Sequence, residues 1–483
     1  MEVVPPLKRD FGQEHFSAAQ LGDKRRTRRL CRAANRLLER PTGTLPRRMN
    51  NHAELTALYR LMDCPAVTHG SVLEAHRQKT LRAMGRRRTV LILHDATELD
   101  YTSKKSLQKL GQIGKGGRRG YICHNSLAIT PDRQVLGLAN QILHCRRTVP
   151  AGESGPAKRL HPRRESRLWV AACQSIGQSP DNSLWIDIAD RGSDTFEFIA
   201  FQVLHRRPFV IRCAHDRNLA GEDHVAVDRI HHKLKGYTRD LPELGRRTVH
   251  VPAVQSETLN AVKSEALTAA AGKPKAREAS VRVAAGPVSV NAPDFARGEQ
   301  PEGSLDLWVI HVRETQAPPD AEALEWILLT NLPTRTFEQA CEKVDFYACR
   351  PVIEEYHKGQ KTGASVQQLQ FEQEERLEPM IALLSIVTAV LLQLRQLARE
   401  AQAHQTPASQ IVPVLYGRVL SAERTGTPRD DLSVYEFCMM LGGLGGHLGR
   451  KGDGFPGWLT LWRGWADLML MVKGVDALRG KDV

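Results

Sequence analysis

Paired cysteines are missing from this chain. Its nine cysteines (Cys31, Cys64, Cys123, Cys145, Cys173, Cys213, Cys341, Cys349 and Cys438) are scattered, with no CxxC spacing among them. That pattern argues against a structural zinc site and fits a reducing compartment, where thiols serve as small core residues. A long hydrophobic run is missing too. The longest, Met380 to Leu392, is interrupted by Ser385 and Thr388. It is too short to span a bilayer and reads as a buried helix. The N-terminal MEVVPPLKRDFGQE is polar and proline-bearing, unlike a signal peptide. Glycines crowd 111–120 (GQIGKGGRRG), but the GK[ST] ending of a phosphate loop is absent, so a flexible basic loop or hairpin is expected. No internal repeat is present. Acidic residues are scarce at the start: residues 1–70 hold 13 Lys or Arg against 7 Asp or Glu.

What is there is ordinary globular material of 483 residues, 41% hydrophobic and 25% charged, enough for several domains. The formal charge of +14 points to a polyanionic partner, most simply nucleic acid; a generically basic protein is the alternative. The charge is concentrated in Lys24, Arg25, Arg26, Arg28, Arg29 and Arg32. These alternate with Leu21, Leu30, Leu37 and Leu38 at helical spacing over 14–40. With further helices at 53–62 and 71–84, the first 72 residues read as a DNA-binding head rather than a solvated helical cap.

From residue 89 the texture becomes α/β. Thr89 to Leu93 (TVLIL) is a buried-strand run ending in His94-Asp95, and Leu184 to Ile188 (LWIDI) is another ending in Ala189-Asp190. Strand-like pieces are expected at 121–130, 134–144 and Phe209–Arg212, and helices at 163–177 and 194–206. Between 225 and 320, short β pieces (TVHVPAV, SVRVAA, VSVNA, LDLWVIHVRE) alternate with glycine, proline and charge, as in a β-rich insertion. Trp326 to Leu329 returns to core strand character, a helix begins near 336, and the chain from 376 is mostly helical. The tryptophans of the last helix, 457–478, are expected in the core.

The stretch 347–361 (YACRPVIEEYHKGQK) sets Tyr347, Arg350, Glu354 and Lys361 at intervals of three, four and seven. Glu354, Lys358 and Lys361 share a helical face. Pro351 suits a first helical turn and biases its predecessor away from the helix, so the helix starts at 351 with Arg350 just outside. Three carboxylates on separate elements, Asp95, Asp190 and Glu354, suit two divalent ions about 3.5–4 Å apart for phosphoryl transfer. Magnesium or manganese follows from hard oxygen ligands. A solvated charge ladder and strand-end aspartates that cap the next helix remain the plain alternatives.

These blocks resemble the cut-and-paste DDE transposases of the bacterial insertion-sequence-four group, of the transposon-five type, from about residue 20 to the C-terminus. LGDKRRTRRL resembles the family's N-terminal helix, and HDATELDY its first catalytic aspartate block. IADRGSDTFEF resembles the second, with Arg191 and Asp194 beside Asp190. The Y-(2)-R-(3)-E-(6)-K hallmark falls on Tyr347, Arg350, Glu354 and Lys361. WILLTNLP resembles the strand whose tryptophan receives a flipped base, here Trp326. Pro351 departs from the family, which carries a large aromatic there.

The resemblance implies a ribonuclease H-like catalytic core, residues 73–375, with a β insertion at about 215–325. An N-terminal helical DNA-binding domain (1–72) and a C-terminal helical dimerisation domain (376–483) would flank it. It implies metal-dependent nicking at the transposon end, a hairpin formed by the freed 3′-hydroxyl, its opening, and transfer into target DNA by a homodimer. Asp95, Asp190 and Glu354 would be catalytic and hold two magnesium ions, with manganese possible. Tyr347, Arg350, Lys358 and Lys361 would grip the backbone, joined by Arg212, Arg191 and the head residues Lys24, Arg25, Arg26, Arg28 and Arg29. The location implied is the bacterial cytoplasm, at the nucleoid. A catalytically silent end-binding inhibitor and a structure-specific nuclease are the competing readings.

Overall fold

A computed structural model of the chain describes residues 10–220, 233–251, 277–293, 303–318, 322–450 and 453–479. What the sequence suggests for 1–9 and for parts of the insertion (225–232, 252–276 and 294–302) lies outside the described residues. The protein is mixed α/β and divides into two compact units: residues 1–184 with 351–483, and residues 185–350.

The first unit begins with five helices: α1 (Phe11–Phe16), α2 (Lys24–Glu39), α3 (Leu45–Arg48), α4 (His52–Met62) and α5 (His69–Met84). The single helical stretch expected over 14–40 is two helices. Gly22 adopts φ +75°, and Asp23 then caps α2 by accepting the Arg25 N–H at 2.7 Å. Leu30, Ala33, Ala34, Leu37 and Leu38 form the buried stripe of α2. That spacing is the helical i, i+3, i+4, i+7, i+8, and each buried leucine contributes about 1.5–3 kcal/mol. Lys24, Arg25, Arg28, Arg29 and Arg32 lie on the other side, exposed.

Four strands follow: β1 (Thr89–Asp100), β2 (Gly111–Gln112), β3 (Arg119–Ile129) and β4 (Val135–His144). β3 pairs antiparallel with both β1 and β4, and β2 folds back on the start of β3 with Gly111 opposite Gly120. The glycine-rich stretch is therefore a hairpin. β1 does not end at His94-Asp95 as the apolar run suggested. Beyond it, Thr97 and Leu99 are buried while Glu98 and Asp100 are half-buried, and this period of two carries the strand on. Asp95 is thus a mid-strand residue, opposite Asn125 of β3. Helices α6 (Gly155–Leu160) and α7 (Leu168–Ile176) complete this stretch.

The second unit opens with β5 (Leu184–Ala189), α8 (Phe196–Leu204) and β6 (Phe209–Arg212), a parallel pair joined by a helical crossover. After α9 (Leu234–Asp240) come β7 (Glu243–Val251), β8 (Arg277–Asn291), β9 (Ser304–Glu314) and β10 (Glu325–Thr330). The strand order is β5-β6-β10-β9-β8-β7, antiparallel beyond β6. SVRVAA and VSVNA, suggestive of two pieces, are one strand, β8. Its pairing with β7 stops at Ala284, so Pro287, which has no N–H, falls where that neighbour has ended. Helix α10 (Phe337–Tyr347) closes the unit.

The chain returns to the first unit with α11 (Pro351–Lys358), a π-helical turn Gly359–Gly363, α12 (Glu374–Leu397), α13 (Val414–Thr425), α14 (Val434–Leu444) and α15 (Trp458–Arg479). Among the described residues α12 alone is long and apolar enough to cross a membrane, and 89% of its apolar window is buried inside the protein. It packs on α5 and β4 as the core helix of this unit. Trp462 and Trp465 are core residues; the Trp465 indole donates to the Leu38 carbonyl of α2 at 2.9 Å.

Candidate nucleic-acid and catalytic site

In the second unit, continuous apolar residues carry β5 to Ala189, and Asp190 caps the short turn that follows. One of its oxygens accepts the Gly192 N–H at 2.9 Å; the other stands 3.3 Å from the Arg350 guanidinium. β5 itself is anchored by Asp187, fully buried, whose carboxylate takes a two-pronged grip from Arg207 at 2.9 and 3.1 Å and a bond from Gln202 at 2.9 Å. Asp194 is buried as well. It accepts the N–H groups of Ala214 and His215 at 2.6 and 2.8 Å and binds Arg217, so it shapes the loop after β6. Neither Asp187 nor Arg207 stood out in the sequence.

Arg212 ends β6 opposite Leu328 of β10 and donates to the Glu325 carbonyl at 2.9 Å. Tyr347, buried at the end of α10, meets the half-buried Trp326 of β10 edge to face, with ring centroids 5.1 Å apart at 72°. Burial pushes the Tyr347 hydroxyl up, against the pull of Arg350 and Arg212, while Asp190 raises it further. Burial lowers Arg212; Tyr347 opposes that shift, and the nearby Arg191 and Arg350 add to it. This unit therefore gathers Asp190, Arg191, Arg212, Trp326, Tyr347 and Arg350 into one electrostatic neighbourhood. The six come from four separate stretches of the chain, 190–191, 212, 326 and 347–350, which is why only a resemblance grouped them.

In the first unit, α11 begins at Pro351, with Arg350 outside it in a turn whose N–H bonds the Tyr347 carbonyl at 3.0 Å. Val352, Ile353, Tyr356 and His357 are the buried face, and Glu354, in the first turn, is half-buried. A carboxylate is favoured at that end of a helix. Its neighbour Glu355 is committed to Arg395 of α12. Lys358 ends the α-helix. Lys361 belongs to the π-helical turn, not to the α-helical face with Glu354 that its spacing suggested. That turn lies flush on the core: a Cβ on Gly363 would come within 2.2 Å of the Trp462 ring. The widened backbone is a packing outcome that residue spacing does not report.

His357 is buried and takes part in a polar chain. Gln141 of β4 donates its amide to Asn125 Oδ1 at 2.7 Å and to Ser385 Oγ at 3.0 Å, and its carbonyl takes His69 Nε2 at 3.0 Å. Gln360 also donates to Ser385, at 2.7 Å. With its carbonyl taken, Asn125 turns its amide to His357 Nε2 at 3.1 Å. The His357 proton then sits on Nδ1, 3.8 Å from Asp95 Oδ2. The opposite polarity would aim a lone pair at the carboxylate, so Asp95 selects this one. Asp95 Oδ1 is bonded to the Ala96 N–H at 2.9 Å. Asn125, Gln141 and Gln360 carried no sequence signal, and Ser385 showed only as a break in the apolar run 380–392.

In the head, Lys24, Arg28 and Arg29 project from α2 into solvent. Arg25 pairs with Asp23 at 3.3 Å, and Arg26, half-buried, donates to the Leu21 carbonyl at 3.0 Å. Arg48 is fully buried. It donates to the carbonyls of Gly43 at 2.8 Å and Ala364 at 2.7 Å, and burial pulls it down to about 10. Residues 8–67 match the family of transposase DNA-binding domains. The head is thus similar to the DNA-binding module of a transposase, and the match supports a DNA-binding transposase.

Proposed function

We propose that this chain is a cut-and-paste DNA transposase with a ribonuclease H-like core and Asp95, Asp190 and Glu354 as its catalytic carboxylates. What carries the reading is the grouping of Asp190 with Arg350, Arg212, Tyr347 and Trp326, an acid ringed by phosphate-gripping cations and a stacking platform. The antiparallel β1–β3–β4 meander bearing Asp95 and the parallel β5–α8–β6 unit bearing Asp190 are compatible parts for such a core.

The donor set is three carboxylates, hard oxygen ligands that fit two magnesium or manganese ions; when bound, these would supply an activated water and neutralise charge on the phosphate. The chain's own residues do the rest. Asp190 holds the Arg350 fork in place, and Arg350 is the residue immediately before the helix that carries Glu354. Arg212, Arg191, Lys358 and Lys361 bind backbone phosphates beside the scissile bond, where a guanidinium fork matches two oxygens at once. Trp326, buttressed by the Tyr347 ring, stacks a base swung out of the duplex as the strand bends into a hairpin. The basic face of α2 (Lys24, Arg25, Arg28 and Arg29, with Arg26 at its edge) holds the end repeat, and two copies of the chain pair the two ends.

The test is Glu354→Ala assayed on a transposon-end duplex with magnesium. End binding should persist within about twofold while nicking disappears. Nicking by the purified variant at the wild-type rate would remove Glu354 from the site and the proposal with it.

A further inference from the structure

Where β4 ends at His144, the chain enters a stretch, 144–167, with seven Lys or Arg against two acids. Five of those cations, Arg146, Arg147, Lys158, Arg163 and Arg164, converge with His144 on an open cavity of about 310 Å³. Glu165 is the one carboxylate in its wall. Two of the cations are already answered: Arg146 pairs with Glu165 at 2.6 Å and Arg147 with Glu153 at 2.5 Å. Two others are not. Among the described residues the Arg163 guanidinium reaches only the Cys145 carbonyl, at 3.5 Å, and the Lys158 ammonium has no hydrogen bond or ion pair. His144 feels the result: burial first, then the charges of Arg163 and Arg146, hold it below its ordinary value against the opposing Glu165.

Like charges gathered in a concavity repel. Folding tolerates that where an anion offsets it. The wall also carries an apolar element, Val149, about half exposed at 47%. Arginine forks beside a flexible lysine and an apolar ledge suit a row of phosphodiesters better than a single buried carboxylate.

We propose that this pocket is a second DNA-backbone site, separate from the head, that binds phosphodiesters of duplex DNA outside the stretch α2 holds. The proposal rests on the DNA-binding reading for the identity of its anion, and not on the catalytic assignment.

The test is the double variant Lys158→Gln/Arg163→Gln, measured for equilibrium binding to one end-bearing duplex across a salt series, with hydroxyl-radical protection of the bound DNA. Two lost phosphate contacts should flatten the slope of log K against log salt by about 1.8. Protection should vanish from a group of phosphates outside the footprint of the head and persist within it. A slope and footprint equal to wild type, in a variant whose thermal melt is unchanged, would overturn the proposal. So would a pocket that takes inorganic phosphate, seen as a melt increase lost in the double variant, while the DNA slope stays put. Should the double variant melt early, the single Lys158→Gln, at an exposed position, carries the same test with a slope change of about 0.9. Glu354→Ala separates this inference from the catalytic one: it should retain the full wild-type slope whatever its nicking.

Discussion

Acidification should loosen the first unit, and the amount can be worked out at one histidine pair. His15 of α1 and His76 of α5 are buried, stacked at 5.0 Å, with Nδ1 atoms 2.7 Å apart. The Leu138 N–H of β4 donates to His76 Nε2 at 3.0 Å, so the His76 proton is on Nδ1, aimed at His15. Lys79 stands 3.0 Å from His15 Nε2 and pairs with Glu14 at 2.7 Å; Thr80 Oγ1 lies 3.4 Å from His76 Nε2. A second proton on His76 would have to displace the Leu138 bond. Burial, and after it the Lys79 charge, holds His76 at about 3; burial, His76 and Lys79 hold His15 well below its ordinary 6.5. The unfolded chain takes up protons that the folded one refuses. Stability from the pair is therefore complete above about pH 6.5 and is lost as pH falls toward the folded values. His76 then costs about 1.4 kcal/mol per pH unit in that window, so about 2 kcal/mol at pH 5, and His15 adds to the loss in the same direction. Urea unfolding at pH 7.5, 6 and 5, compared with His76→Gln, measures it. Glutamine keeps an acceptor for Leu138 but does not titrate. His69, His124 and His144, also held below their ordinary values, titrate in both proteins and cancel. The variant's stability should fall less steeply by about 1.4 kcal/mol per pH unit. Parallel slopes for the two proteins between pH 6.5 and 5 would refute the reasoning.

Three further outcomes are expected. His357→Asn, whose amide nitrogen occupies the place of Nδ1, should keep manganese affinity within a few fold, whereas His357→Gln, which mimics the other ring nitrogen, should lose about tenfold or more by titration calorimetry; equal affinities would detach His357 from Asp95. Arg207→Met should destabilise the second unit by about 3–5 kcal/mol in a denaturant titration, because Asp187 is left as a buried charge without its fork; a change under 1 kcal/mol would contradict the ion-pair account. Gly363→Ala should cost about 1–3 kcal/mol by overpacking against Trp462, read as a lower melting temperature, and Gly363→Ala with Trp462→Leu should recover part of it.

The sequence is legible where one short segment carries both the pattern and its consequence. Pro351 announced the start of α11 and put Arg350 outside it, and the helix begins there. Asp190 was readable because an apolar run stops at Ala189 and a turn follows. Asp95 was half readable: the run marked the strand, but the change from a continuous to an alternating pattern hid that it continues to Asp100. The polar chain behind Asp95 was not readable. Asn125, Gln141, Ser385 and Gln360 come from two strands, a helix and the π-helical turn, far apart in sequence, and a buried polar side chain has no periodicity. Lys361 was misplaced because seven-residue spacing presumes a backbone that stays α-helical, and the glycines around it let the turn widen onto Trp462.

Arg48 bears on how mutational screens of this protein would be interpreted. It sits in the basic N-terminal region, and a scan scored by loss of DNA retention would group it with Arg28 and Arg29. Its phenotype would have a different origin. Its guanidinium reaches the Ala364 carbonyl, 316 positions along the chain, immediately after the turn that follows Glu354. Alanine there would strand that carbonyl and empty a space in the interior, so the lesion should worsen with temperature and respond little to ionic strength. Arg28→Ala should behave the opposite way, insensitive to temperature and steeply salt-dependent. Sorting head alleles by those two responses would separate arginines that meet DNA from one that stitches the head to the turn after α11.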